Sequence, residues 1–165
     1  MKKYIFQFAI VGLVVLLASC EDHYGQFLED NRPEIPVTFP NATTYGFSPF
    51  IEVPISDGTI EFTMEIPEES GLTISQIQQV AGGFSVNVGN LEAESAENPA
   101  IFYRSTPIPG NGRQATFTTT IAEINQAISD TDTLAVEDEI EFIFEIQLSD
   151  QQVIVPTEVR AFIVE

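Results

Sequence analysis

Apolar and polar residues alternate along most of this chain, and the alternation predicts strands. In residues 59–66, Ile60, Phe62, Met64 and Ile66 fall on one side, with Thr59, Glu61, Thr63 and Glu65 on the other. A period of two is the signature of a half-buried strand, because successive side chains point to opposite faces. Residues 139–148 repeat the pattern and place Ile140, Phe142, Phe144, Ile146 and Leu148 inward. Shorter stretches predict strands at 50–55, 84–88, 100–104 and 115–119, and residues 153–164 predict a last one bent at Pro156. Pro54 assigns the 50–55 strand to an edge, where a missing N–H costs nothing. Residues 72–81 fit two templates. Ile74, Ile77 and Val80 follow a helical spacing, whereas the Gly82-Gly83 pair and the β neighbours favour a strand.

One helix is predicted, at 121–128, with Ile121, Ile124 and Ile128 on one face. Thr120 followed three residues later by Glu123 resembles a capping box. Turn signals such as Ser56-Asp57-Gly58, Gly89-Asn90 and Ser149-Asp150-Gln151-Gln152 separate the strands. About seven short strands with regular turns predict an all-β protein, an immunoglobulin-like antiparallel β-sandwich with the helix in a crossover between its sheets.

The N-terminus follows a different pattern. Met1-Lys2-Lys3 is positive, residues 4–18 are apolar except for Gln7 and Gly12, and small residues precede Cys20. That order describes a secretory signal. The apolar run is shorter than the ~20 residues a spanning helix needs, and it stops at Glu21-Asp22. The expected organisation is a signal peptide over 1–19, an extended tether over 20–49 carrying Pro33, Pro36, Pro40 and Pro49, and a sandwich domain over 50–165.

Charge narrows the partners. Both lysines lie in the signal, so the chain after residue 19 keeps four basic residues (Arg32, Arg104, Arg113, Arg160) against 25 acidic ones, a formal charge of −21. Nucleic acid is excluded as a partner, because its phosphates require Lys and Arg. A domain lying flat on an anionic membrane is disfavoured for the same reason. Cys20 is the only cysteine, so the secreted part holds no disulfide.

Leu17-Ala18-Ser19-Cys20 resembles the lipobox of bacterial lipoproteins. The resemblance implies cleavage after Ser19, a diacylglyceryl thioether on the Cys20 sulfur and further acyl chains, which together anchor the chain to a membrane. Glu21-Asp22 resembles the acidic export signal of surface lipoproteins in Bacteroidota. The Thr116–Thr119 strand, the capped helix, the Leu134–Phe142 stretch and the Gln147-Leu148-Ser149-Asp150 hairpin resemble a class of immunoglobulin-like outer-membrane lipoproteins of that group. In these, a Leu-x-x-Gly-Asp turn follows the helix and the hairpin tip is Asp-Gly. Here Glu137-Asp138 and Asp150-Gln151 stand at those places. The resemblance implies an outer-membrane address at the cell surface, with the periplasmic face as the alternative. It also implies a role beside envelope complexes, glycan uptake among them, with an outer-membrane protein or a glycan as partner.

Candidate chemistry is sparse. Nucleophilic catalysis needs a base within reach of the nucleophile, and the only histidine, His23, lies three residues from the anchor. A non-catalytic protein is expected. Asp130, Asp132, Glu137, Asp138 and Glu139 crowd the loop after the helix and offer oxygens to a calcium ion. Asp132-Thr133-Leu134 resembles a short O-glycosylation motif of Bacteroidota, with Thr133 as acceptor. Without Trp, a glycan platform is restricted to Tyr24, Tyr45, Tyr103 or an exposed Phe. Two function classes follow: a surface binding or accessory module, and a structural or adhesive subunit of a fimbria or envelope assembly.

Overall fold

A computed structural model describes residues 33–44, 48–129 and 133–165. The protein is an all-β sandwich. Its larger sheet has the order β1 (Thr43–Thr44), β2 (Pro49–Pro54), β10 (Val159–Val164), β8 (Glu139–Leu148), β4 (Ile74–Gly83) and β5 (Phe102–Arg104). Two short strands join it, β6 (Ile108–Pro109) on β4 and β9 (Val153–Ile154) on β8. The smaller sheet pairs β3 (Thr59–Glu65) with β7 (Gln114–Thr120). Helix α1 (Ile121–Ala127) lies in the crossover from β7 to β8, between the two sheets in chain order. Its start is half of a capping box. Thr120 Oγ1 accepts from the Glu123 N–H at 3.1 Å, while the Glu123 carboxylate accepts from Thr119 Oγ1 at 2.7 Å.

The strict alternation at 59–65 and 139–148 has a direct cause. Phe62 of β3 and Phe117 of β7 face Phe142 and Phe144 of β8, with ring centroids 5.4–6.2 Å apart. Edge-on and tilted rings at this spacing fill the space between sheets and add favourable quadrupole contacts. All five residues predicted inward on β8 are buried.

Four expectations are corrected. Residues 84–88 form no strand. The chain bends at Phe84-Ser85, and Asn87 then caps a 3₁₀ turn, Val88–Leu91, through its side chain and Gly89 N–H (2.9 Å). A second 3₁₀ turn follows at Ala93–Glu97. Second, the tether does not extend to residue 49. Residues 33–44 belong to the domain: Phe39 is buried in the main core with Ile35, Val37 and Ala42 packed against it. Asn41 also completes the outer edge of β3, its amide donating to Glu61 O at 2.8 Å and accepting from Thr63 N–H at 2.9 Å. Third, the sandwich is not wholly antiparallel, since β2 runs parallel to β10. Fourth, β2 is not the outermost strand, because β1 pairs outside it, though over two residues only.

Strand wins over helix at 74–83. Register shifts between Ile74 and Gln76, and between Ile77 and Gln79, each insert a residue against β8. These bulges turn a period of two into the three-residue spacing of Ile74, Ile77 and Val80, all buried.

Candidate functional site

The outward face of the larger sheet is divided in two. Over β4 and β8, Ala81 and Ile143 stand opposite each other and are buried. The excursion between β4 and β5 covers them: Val86, Leu91 and Ile101 complete a second, smaller core, with Tyr103 and Val155 partly buried against it. Gly83 lets this excursion turn closely over the sheet, since a Cβ there would lie 3.2 Å from Ala100 O.

Over β8, β10 and β2 no described residue covers the face, and the registers set a grid of side chains. Glu141, Arg160 and Phe50 form one row, and Glu139, Phe162 and Glu52 the next. Arg160 reaches three carboxylates: Glu139 Oε1 at 2.8 Å, Glu158 Oε1 at 3.1 Å and Glu141 Oε1 at 3.2 Å. The Nη2–Glu158 contact is an aligned hydrogen bond. The short Glu139 contact is a charge contact off the hydrogen-bond axis, and among the described residues Glu139 Oε1 and Arg160 Nε have no hydrogen-bond partner. The Glu158 hydrogen bond, followed by the charges of Glu139 and Glu141, pushes the Arg160 pKa up against the opposing effect of burial. The surrounding chain braces the carboxylates. Val86 N–H donates to Glu141 Oε2 at 3.1 Å, and Ser48 Oγ donates to Glu158 Oε1 at 3.2 Å. Phe50 and Phe162 pack edge to face at 5.3 Å on the same surface. This arrangement can hold a guanidinium and two aromatic rings in fixed positions on an acidic surface. Sequence reasoning did not find it, because its rows exist only through the pairing of β10 with both β8 and β2, strands far apart in the chain.

The residues singled out from sequence are placed as follows. Cys20, His23, Tyr24, Tyr45, Asp130 and Asp132 lie outside the described residues. Glu137 is exposed, with a left-handed backbone (φ 76°). Asp138 closes the turn before β8 by accepting from Ala135 N–H at 2.7 Å, and Glu139 is engaged by Arg160. The calcium set is therefore not brought together within its described part, and no group of three or more ligating side chains suited to a metal occurs among the described residues. Thr133 is exposed. Tyr103 is half-buried against the smaller core rather than presented as a platform.

A cleft of about 480 Å³ lies where the described chain begins, lined by Glu34, Ile35, Pro67, Glu69, Leu72 and Asp150 among others. It gathers carboxylates, with no cation in its lining among the described residues. Among the described residues, no helix is long and apolar enough to cross a membrane. No protein-family model matches the chain, and no curated protein matches it.

Proposed function

We propose that this is a lipid-anchored, non-catalytic envelope protein whose acidic β-sandwich serves as a binding or accessory module at the outer surface of a bacterial outer membrane. The observation that carries the reading is Leu17-Ala18-Ser19-Cys20 behind a positive start and a short apolar run. The two acids after Cys20 favour the outer face. An immunoglobulin-like assignment is supported by strand order. Such domains place C, F and G together opposite B and E, as β4, β8 and β10 stand together while β3 and β7 form the other sheet.

The binding reading is preferred over a strand-exchanging structural subunit because the outer edge of β3 is occupied and a guanidinium stands at the outer edge of β7. Asn41 satisfies the β3 edge. On the β7 edge, Arg104 donates to Thr118 O at 3.5 Å and lies 5.8 Å from the Phe117 ring centroid. Edges closed in this way resist added strands.

The test is metabolic labelling of cells expressing the full chain with an alkyne palmitate, beside Cys20→Ser. Label on the wild type, lost in the variant, and removal of the domain by protease added to intact cells are expected. An unlabelled wild type would overturn the anchor, and protection from protease would move the module to the periplasmic face.

A further inference from the structure

The uncovered half of the outward face carries an apolar stripe. Phe50, Phe162 and Val164 are half-buried there, and Ile55 and Val136 are exposed at its end, by 43% and 36%. Ile55 N–H donates to Val164 O and Glu137 N–H to Ile163 O, both at 2.9 Å, so Ile55 and Glu137, with Val136 next to it, flank the C-terminal end of β10. Eighteen residues, 84–101, cover the neighbouring half, but among the described residues none covers this half. Apolar surface rimmed by charge marks an interaction site.

The rim identifies the occupant. Glu52, Glu139, Glu141 and Glu158 stand around the stripe against a single cation among the described residues, Arg160. The whole secreted chain carries −21. A second copy would set these carboxylates against their own kind, which costs association. A cationic partner is drawn in by the same field.

Resting on the binding-module reading, we propose that the outward face of β2, β10 and β8 docks a protein segment presenting an apolar side chain flanked by Lys or Arg. The apolar group packs against Phe162 and Val164. The flanking cations meet Glu52 and the carboxylate oxygens that Arg160 leaves unfilled. Arg160 keeps those carboxylates in position in the free protein, so little ordering remains to be done on docking.

The experiment places a photo-crosslinking phenylalanine at position 162, and separately at Ile55, in the full-length protein in its own cells. Val153, exposed by 46% on β9, is the control position. Palmitate labelling is read on the same samples, so a failed anchor is distinguished from a failed face. The expected result is one discrete adduct from 162 or 55 and none from 153, with a partner peptide carrying Lys or Arg beside the crosslinked residue. Its yield should fall about tenfold with Glu52→Lys or in high salt, because contacts between exposed charges are screened. No adduct from either position in lipidated protein would overturn the proposal. Equal adducts at 153, an adduct of two copies of this chain, or a partner peptide without basic residues would do the same.

Discussion

The two halves of the outward face are built from the same strand yet do opposite things with it. Residue 143 of β8 is an isoleucine sealed under Val86, Leu91 and Ile101, while residues 139 and 141, further toward its N-terminus, are glutamates held open by Arg160. The covered half gains stability by removing aliphatic area from water, about 25 cal/mol per Å². The open half gains little of that. It keeps Arg160, Glu139 and Glu158 at about one-third exposure and Glu141 at 16%, and exposed ion pairs contribute on the order of 1 kcal/mol or less. The contrast separates a half that is packed from a half that carries an ordered charge network, and the proposed docking concerns the second.

The most severe way to break the covered half is Ile143→Asp. It sets a carboxylate among Ala81, Val86, Leu91 and Ile101 with no basic partner in that cluster. The expected loss is roughly 4 kcal/mol in chemical denaturation, combining a lost apolar side chain with an unpaired buried charge. The same change at the neighbouring outward position, Glu141→Asp, keeps the charge and should cost far less. If the two variants melted together, the division of the face would be wrong. Leu91→Ala is the milder probe. It should cost about 2 kcal/mol, and hydrogen exchange should show faster opening of residues 84–101 with β8 still protected.

These two regions also show how much of the fold could be read in advance. The β8 strand was legible because its five inward residues meet one environment along their whole length. Residues 84–88 show the same alternation over a short span, but there turn chemistry prevails: Asn87 binds Gly89 N–H, and Val86 and Leu91 fold back onto the sheet. Gly82-Gly83 favours a strand over the preceding 72–81, and both residues lie inside that strand, β4. A Cβ at Gly82 would sit 2.8 Å from the Phe142 ring, a contact between residues about sixty apart that no local pattern carries. Phe39 and Asn41 were hidden in a Pro-rich stretch for the same reason, since their partners lie on β3 and β8. The candidate face was the least legible, because Glu139 looked like part of an acidic loop until strand register placed it on Arg160.

On the open half, Arg160→Ala tests whether the network stabilises or only organises. It leaves Glu139, Glu141 and Glu158 facing one another without a counter-charge. At this exposure the expected loss is about 1 kcal/mol, well below that of Ile143→Asp. The sign of the pH dependence follows from the raised Arg160 pKa. A group raised in the folded state gives stability that is complete below its unfolded pKa and lost only as pH climbs through the folded one. The wild-type melting temperature should therefore show no loss from this network between neutral and mildly alkaline pH, and a fall confined to that range would contradict the assignment.

Phe162→Ala should have the smallest effect on stability and therefore separates the halves most sharply. The ring lies half-buried on the sheet's outer surface and contributes mainly its edge-to-face contact with Phe50 at 5.3 Å. Losing that contact costs about 0.5–1 kcal/mol, and the core beneath, Ala161 and Ile163, is untouched. Thermal and chemical denaturation should place the variant close to wild type. Crosslinking from Ile55 should nonetheless lose its adduct, because an aromatic anchor at the centre of an interface carries more of the binding than of the fold. Phe162→Leu, which keeps apolar volume without the ring, should recover part of the adduct. If Phe162→Ala instead destabilised the domain as much as Leu91→Ala while the Ile55 adduct survived, the ring would be core and the open half would be a second packing surface.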